Sequence, residues 1–576
     1  MVNFTELARR EAQVPLAIEK LRATPRHLTR VRSSGIVRSA AKTLAAGPAL
    51  LSAFSSSLPS PPLATNFLAL GDNNTFIPPN TMGAVGPDHL MVMLNSQVRI
   101  QTRTGGAIST VTLSNFWASV GSPNPDPFDP RLLYDPFNNR WIAAACADDM
   151  KASSSVLVGV SQNSDPTGNW HLYRVDVDAS NVYSADFTSL GFNKKWIVDS
   201  VNMFTISSGN FDHVNVYAFN KTNLFANGSG TFALLQSMTG STMAPAVTYD
   251  DALGPEYLVE DWNGSNGMLR VSRITGQIGS EVLTAGFSFP TAASTWEAGG
   301  GGDNAPQKDS DTAIDTGDSR ILNCVYRNGS LWAAQTAFMP NWRTVAQWWE
   351  IIATNGAVRQ FCRIEDPGET NFYAFPSIAV NANNDVLLGY SLFSSQQYAS
   401  GNYAFRYASD PLNTMRNDTV LKAGEGVYYK VGDRTGFNRW GDYSQSVVDP
   451  VNDHSLWTIQ EYAATPVSGS SRWGTWWGRV DPNNPLRITS VTRAGNGHST
   501  IVWNSVGGTR YRVQYSNGDD SGSYNGAYTD IVRSVGVETD PSPVGTASSM
   551  TFTDDFTLTG GPPPHGTRYY RIKVVQ

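Results

Sequence analysis

The sequence predicts an all-β protein, and three observations lead to that class. Short runs rich in Val, Ile, Leu, Tyr and Trp alternate with turns rich in Asp, Asn, Gly and Pro along most of the 576 residues. Helical periodicity is hard to find between residues 66 and 481. One hairpin-like pattern, a β-prone segment, a polar turn and a second apolar strand, returns seven times.

The repeated hairpins predict how the strands are organised. The copies are "MGAVGPDHLMVML", "PRLLYDPFNNRWIAAA", "TSLGFNKKWIVDS", "PAVTYDDALGPEYLVED", "TAIDTGDSRILNCVY", "PSIAVNANNDVLLGYS" and "QSVVDPVNDHSLWTIQEY". Two further candidate strands follow a hairpin, as "SSVLVGVSQ" and "NWHLYRVDV" follow the second copy. Four strands recurring about every 50–70 residues are typical of a β-propeller blade. We therefore predict a seven-bladed propeller over residues 66–481, with six or eight blades as alternatives.

The two ends of the chain differ from the repeats. Residues 1–65 are basic, then moderately apolar, then Ser- and Pro-rich in "SLPSPPLA", which predicts a leader or linker, with a signal or export segment as one interpretation. A surface helix or a disordered arm is the alternative. Residues 485–576 alternate apolar and polar positions and include Trp503, which predicts a small β-sandwich after the propeller.

Charge and cysteine content exclude several classes of function. Residues 1–50 contain nine Lys or Arg against three Glu, so the rest of the chain is more acidic than the total of −7. An acidic body argues against a nucleic-acid partner, and no apolar run is long enough for a membrane span. Cys146, Cys324 and Cys362 lie in apolar runs without metal-ligand spacing, which predicts buried free thiols. We predict no cofactor, with Ca²⁺ at clustered aspartates as the alternative, and the oligomeric state is not predicted.

The chain carries three resemblances to known families. "SDPTGNW", beginning at Ser164, resembles the Asp-box turn of sialidase-like propellers, and "SDPLN" at Ser409 is a weaker copy. "NRWGDYSQSVVDP" together with "WTIQEY" resembles a group of bacterial secreted propeller proteins. "YRVQYS" and the strand spacing around it resemble a fibronectin-III-like sandwich. These resemblances imply a propeller fold and a secreted, extracellular or cell-surface location, and they leave catalysis open.

The channel rim is the predicted functional surface. Segments that precede the innermost strands converge in a propeller, so "FNRWGDY" should meet the equivalent segments of other blades. The candidate catalytic residues are Asp129, Asp186, Arg439, Asp442, Glu461 and Tyr462. The candidate ligand-binding residues are Arg131, Asp311, Tyr373, Trp440, Tyr443, Glu260 and Trp262. Turn capping by the aspartates, a buried Arg439–Asp442 pair and core packing of Trp440 are the structural alternatives.

This chemistry favours a glycan or a cell-surface protein as ligand. Aromatic rings stack on sugar C–H faces, carboxylates accept hydroxyl hydrogen bonds and arginines bind anionic groups. The sialidase Phe-Arg-Ile-Pro motif is missing from the first inner strand, and no complete catalytic motif is present elsewhere. We therefore expect a binding protein, with a glycoside hydrolase or polysaccharide lyase as the alternative; whether the chain is an enzyme stays open.

Overall fold

The protein is described by a computed structural model. It covers residues 1–13, 21–23, 58–121, 124–290, 295–297, 302–431, 436–482, 488–506, 510–521, 523–524, 528–531, 538–542 and 547–575. Two compact units are present, one of residues 1–60 and 65–479 and the other of residues 61–64 and 480–576. None of the helices in these described ranges is long and apolar enough to cross a membrane.

Within the described residues of the first unit, seven groups of four strands follow one another, and we number them sheets 1 to 7. Sheet 1 comprises Gly83–Val85, His89–Met93, Gln97–Thr102 and Ala107–Thr112. Sheet 2 comprises Pro127–Asp135, Arg140–Ala147, Ser155–Ser161 and Asn169–Asp176. Sheet 3 comprises Tyr183–Phe192, Trp196–Thr205, Phe211–Asn220 and Phe232–Ser237. Sheet 4 comprises Ala244–Thr248, Glu256–Asn263, Met268–Thr275 and Val282–Pro290. Sheet 5 comprises Ile321–Arg327, Ser330–Phe338, Thr344–Ile352 and Val358–Ile364. Sheet 6 comprises Asn371–Val380, Val386–Ser394, Gln397–Arg406 and Thr419–Lys422. Sheet 7 comprises Gln445–Val448, Leu456–Val467 and Ser470–Val480, with Leu63–Gly71 as its outermost strand.

The innermost strands form a cycle. The first strand of each sheet contacts the first strand of the next, and the first strand of sheet 7 contacts that of sheet 1. Later strands of each sheet extend outward as antiparallel neighbours, for example Ala143 opposite Gly159 in sheet 2. This is the arrangement of a β-propeller, so the predicted all-β, propeller-type architecture is confirmed.

The hydrophobic core lies between the faces of neighbouring sheets. One cluster of buried side chains joins sheets 2 and 3, another joins sheets 4 and 5, and another joins sheets 5 and 6. The largest cluster joins sheets 1, 2, 6 and 7 and includes Trp141, Trp457 and Trp477. Because both faces of these sheets are covered, their strands are nearly continuous apolar runs and do not strictly alternate apolar and polar residues.

The first residues of the chain dock on the propeller unit. Val2–Asn3 pairs with Asn169 and Trp170 at the outer edge of sheet 2, and helix Phe4–Glu11 follows. Phe4 is fully buried and packs against Phe116. Of the predicted leader, residues within 1–13 make these contacts and residues 63–65 begin the strand Leu63–Gly71, whereas residues 14–20 and 24–57 lie outside the described ranges.

The remaining elements are short. They are helices Leu113–Trp117 and Lys221–Phe225, the 3₁₀ turn Gly264–Asn266, the paired strands Arg22–Ala23 and Phe76–Ile77, and a hairpin of Asp303–Gln307 and Ser310–Asp315. The hairpin corrects one prediction, because "TAID" lies in its second strand and is not the first strand of a blade. The innermost strand of sheet 5 is instead "ILNCVYR".

The second unit contains two antiparallel sheets. One consists of Ile488–Arg493, Ser499–Val506 and Ala547–Asp554, and the other of Arg510–Asn517, Thr529–Asp530, Glu538–Thr539 and Arg568–Val575. Side chains of both sheets share a hydrophobic cluster around the fully buried Trp503. The two sheets therefore share one hydrophobic core.

Candidate functional site at the channel mouth

Segments from sheets 2, 3, 5 and 7 meet where the innermost strands begin. The Arg131 guanidinium carbon lies 3.5 Å from the centre of the Tyr443 ring, and the Tyr443 hydroxyl donates to the Pro130 carbonyl at 2.8 Å. The Arg439 side chain reaches Asp315 at 3.2 Å, across 124 positions of sequence. The predicted convergence of "FNRWGDY" with other blades is therefore present, and we call this region the mouth.

Backbone bulges shape the mouth. Asp129, Phe187 and Phe375 have φ values of 52°, 58° and 54°, in the left-handed region that non-glycine residues rarely adopt. Strand pairing shifts register at each of these positions. A bulge of this kind re-aims a side chain next to a regular strand, and here it does so at the starts of three innermost strands.

Polar side chains of the preceding sheet stabilise these bulges. Asn95 accepts from the Asp129 N–H at 2.8 Å, and Thr336 accepts from the Phe375 N–H at 2.9 Å. In the same way Asn202 accepts from the Thr242 N–H at 2.8 Å. The first two contacts satisfy buried N–H groups that the bulges remove from the strand ladder. The Asn202 contact holds Thr242 just before the innermost strand of sheet 4.

A cleft opens between sheets 3, 5, 6 and 7 at the mouth. Its empty volume, open solvent included, is ≈ 220 Å³, and it is lined by Phe187, Gly317, Asp318, Arg320, Leu322, Phe375 and Asp442. Arg320 donates to both carboxylate oxygens of Asp318 at 2.7 and 2.5 Å, and its guanidinium lies 3.9 Å from the centre of the Phe187 ring. Two aromatic rings, a bidentate ion pair and a carboxylate therefore line one concavity.

Arg439 and Trp440 support the mouth from the interior. The Arg439 side chain, 1% exposed, donates to both oxygens of Asp442 at 3.0–3.1 Å in addition to Asp315. The Trp440 indole N–H donates to Ser391 at 3.0 Å, and its ring contacts Phe393. The observed contacts are those of a buried ion pair for Arg439 and of core packing for Trp440.

The carboxyl groups at the mouth influence one another. Asp129 is 3% exposed and accepts from the Asn80 amide at 2.6 Å. Burial raises the pKa of Asp129 well above its ordinary value, the neighbouring Asp186 and Asp442 raise it further, and Arg439 opposes them. A carboxyl with a raised pKa beside other carboxyls is the electrostatic arrangement in which one group holds a proton that its neighbours do not.

Glu461 and Tyr462 diverge from each other. Burial, followed by the charges of Asp72 and Asp442, raises the pKa of Glu461 well above its ordinary value. Tyr462 instead packs edge-on against Trp476, with their ring centres 5.9 Å apart, and the Lys422 amine lies 5.0 Å from its ring. Glu461 therefore belongs electrostatically to the mouth, whereas Tyr462 packs between strands of sheet 7.

Glu260 and Trp262 form a separate cluster at the end of the second strand of sheet 4. Arg270 donates to the Glu260 carboxylate at 2.5 Å, and its guanidinium lies 3.9 Å from the Trp262 ring centre. Burial raises the pKa of Glu260 to about 7, against the lowering effect of Arg270. Asp261 links this cluster to the mouth, because it accepts from the Ser319 hydroxyl at 2.7 Å.

Two predicted rim residues lie elsewhere. Asp311 is exposed in the strand Ser310–Asp315 of the extra hairpin. The sequence predicts this strand as the start of a blade, and for that reason it wrongly predicts Asp311 at the rim. Tyr373 is buried in the apolar cluster between sheets 5 and 6, with its ring 5.5 Å from that of Tyr390. Five residues of the cleft are not predicted from the sequence: Phe187, Gly317, Asp318, Arg320 and Leu322. For Gly317, Asp318 and Arg320, the charged turn "DTGDSR" between two apolar strands is the available signal.

The described residues contain no group of three or more His, Cys, Asp or Glu side chains arranged to hold a metal ion. The three cysteines are buried free thiols, as predicted. The polar chemistry of the mouth is therefore that of carboxylates, guanidinium groups and aromatic rings.

Comparisons with known proteins place the chain only in structural terms. No protein-family model and no curated protein matches it. Similar solved structures include the phage phi92 endosialidase, at 8% identity and TM-score 0.36 over 69% of this chain and 76% of that one. A Trypanosoma rangeli sialidase in complex with sialic acid has 10% identity and TM-score 0.32, over 82% and 87%. A hypothetical selenium-binding protein from Sulfolobus tokodaii has 8% identity and TM-score 0.36, over 62% and 81%. Similarities at such TM-scores carry no weight for the function of this chain.

Proposed function

We propose that the chain is a seven-bladed β-propeller that binds a glycan in the cleft at its channel mouth. The observation that carries this proposal is the cleft, where Phe187 and Phe375 flank the Asp318–Arg320 pair and the Asp442 carboxylate. A pyranose presents apolar C–H faces and a rim of hydroxyl groups, which match aromatic faces and fixed hydrogen-bonding groups. Glycans of this kind are met outside the cell, so the proposal includes a secreted or cell-surface location.

The seventh blade supports the proposed ring closure. Its outermost strand comes from the N-terminal side of the repeats, and the Thr475 hydroxyl bonds to both the N–H and the carbonyl of Leu70 at 3.0 Å. The Trp476 indole N–H donates to Asn66 at 3.0 Å. Closing the first and last blades in one sheet would hold the mouth segments at fixed separations, as a preorganised binding site requires.

The test is a glycan array followed by titration calorimetry on the best ligand. Asp318→Asn weakens the hold on Arg320, and Phe375→Leu removes one aromatic wall, so each should weaken binding by roughly tenfold or more. Asp453→Asn is the matched control, because Asp453 pairs with Arg327 outside the mouth cleft. Binding that survives both mouth variants, or that falls equally in the control, would reject the cleft as the site.

A carbohydrate-active enzyme is the second candidate, and one observation favours it. The raised pKa of Asp129 beside Asp186 and Asp442 would suit a general acid paired with an ionised carboxylate. We prefer a binding protein because Asp129 accepts from the Asn80 amide and does not line the cleft. Reducing-sugar release or unsaturated product from an array ligand, lost in Asp129→Asn while binding persists, would favour the enzyme instead.

A further inference from the structure

A second cavity adjoins the mouth cleft. Its empty volume, open solvent included, is ≈ 300 Å³, and it is lined by residues of the innermost strands of sheets 2 to 5 and 7 together with Met82, which precedes the first strand of sheet 1. Leu322 lines both the cleft and this chamber, so the two adjoin. Most of the wall is apolar, and the polar side chains in it are Arg131, Ser189, Asn323 and Gln445.

Arg131 is held rigidly at the wall of the chamber. Its side chain is 2% exposed, its Nε donates to the Thr188 carbonyl at 2.8 Å, and its guanidinium lies against the Tyr443 ring. Its buried Nη2 has no hydrogen-bond partner among the described residues. A buried cationic donor without an acceptor is costly, so this nitrogen calls for an anion or a dipole inside the chamber.

A second donor lines the same chamber. The Ser189 hydroxyl is buried and also has no hydrogen-bond partner in the described part of the chain. Asn323, by contrast, is used, because its amide donates to the Ile378 carbonyl at 2.9 Å and its carbonyl accepts from the Ile378 N–H at 3.2 Å. Arg131 and Ser189 are therefore two residues of this wall that each carry a buried hydrogen-bonding atom with no partner in the described residues.

None of the acidic groups in the described residues around Arg131 accepts a hydrogen bond from its Nη2. Asp129, Asp199, Asp442 and Tyr443 all face it electrostatically. Burial raises the pKa of Asp129 and of Asp199 well above the ordinary value, against the lowering effect of Arg131 on both. Asp442 is already bound by the guanidinium of Arg439.

We propose that the chamber binds one small inorganic anion, a halide, between Nη2 of Arg131 and Oγ of Ser189. A halide accepts hydrogen bonds from both donors and leaves no oxygen atom facing the apolar wall. A phosphate or carboxylate would bring additional acceptor oxygens that this wall cannot satisfy. The anion would neutralise Arg131 where sheets 2, 3 and 7 meet, and this role is independent of whether a glycan binds above it.

Two measurements on the full chain test the proposal. Crystals grown in sodium bromide should show an anomalous peak within hydrogen-bonding distance of Arg131 Nη2 and Ser189 Oγ. The Tm of the wild type should rise by roughly 2 °C or more when chloride or bromide replaces gluconate at constant ionic strength.

Variants separate this site from general salt effects. Arg131→Gln and Ser189→Ala should lose the halide-dependent rise in Tm, and Ser189→Ala keeps the test usable if Arg131→Gln fails to fold. Arg327→Gln is the matched control, because Arg327 is also buried and faces a tyrosine ring, that of Tyr249 at 5.1 Å, but pairs with a carboxylate. It should keep the full rise.

An ordered water without an anomalous peak, or a halide effect that persists in both site variants, would overturn the proposal. Loss of glycan binding with the bromide peak retained would reject the proposed function and leave the anion site standing.

Discussion

Glu260→Gln should remove a specific part of the pH dependence of stability. Glu260 is 1% exposed and hydrogen-bonded to Arg270, and burial raises its pKa from 4.5 to about 7. The folded protein therefore binds this proton more tightly than the unfolded chain does. The stabilisation that results is fully present below about pH 4.5 and is lost as the pH rises through 7.

The size of the effect comes from the difference between the two pKa values. A difference of about 2.5 pK units at 1.36 kcal/mol per unit gives about 3 kcal/mol. Glutamine keeps the shape of the neutral carboxyl and cannot ionise. The wild type should consequently lose about 3 kcal/mol relative to the variant between pH 4.5 and 7.5.

Urea unfolding followed by tryptophan fluorescence at four pH values in that range measures the difference. Other titrating groups are common to both proteins and cancel in the comparison. Glu297→Gln serves as the control, because Glu297 is exposed, and it should show no pH-dependent difference from wild type. A stability difference between Glu260→Gln and wild type that stays constant from pH 4.5 to 7.5 would refute the assigned burial effect.

Two further predictions concern the ring closure and the mouth. Thr475→Val removes the hydroxyl that bonds both backbone groups of Leu70, and it should lower the free energy of unfolding by about 1–3 kcal/mol in urea titration; an unchanged midpoint would count against this contact. Arg439→Met leaves Asp315 and Asp442 without their buried guanidinium and should cost about 3–5 kcal/mol. Adding Asp315→Asn should recover part of that loss at pH 7, and no recovery would mean that the burial of Asp315 is not the cause.

Local patterns predicted much of the site because propeller symmetry converts sequence position into spatial position. The starts of the innermost strands in sheets 2, 3 and 7 are identifiable from hairpins with clear turns, and the charges of Asp186 and Arg439 both act on the Asp129 carboxyl. In sheet 5 the inserted hairpin has the same alternation as a blade hairpin. The strand "TAID" therefore took the place of "ILNCVYR", and Asp318 and Arg320 were missed.

The long-range contacts could not be predicted. Val2–Asn3 is a two-residue strand, too short for any periodicity, and its partner Trp170 is more than 160 positions away. Leu63–Gly71 alternates like a strand, but pairing over 405 positions with Thr475 has no local signal. Left-handed backbone at Phe187 and Phe375 is equally invisible, because nothing in a phenylalanine indicates a positive φ.

Cross-linking tests the central claim, a ring closed between the two ends of the repeats, most directly. Asn66 and Trp476 hydrogen-bond through exposed side chains 410 positions apart, and the natural cysteines are buried. An Asn66→Cys/Trp476→Cys variant treated in its native state with a short bis-maleimide should give a fast-migrating species on a denaturing gel. Either single variant treated in the same native conditions should not. Absence of that species in the native double variant, with both thiols reactive toward a monofunctional maleimide, would contradict the closed ring.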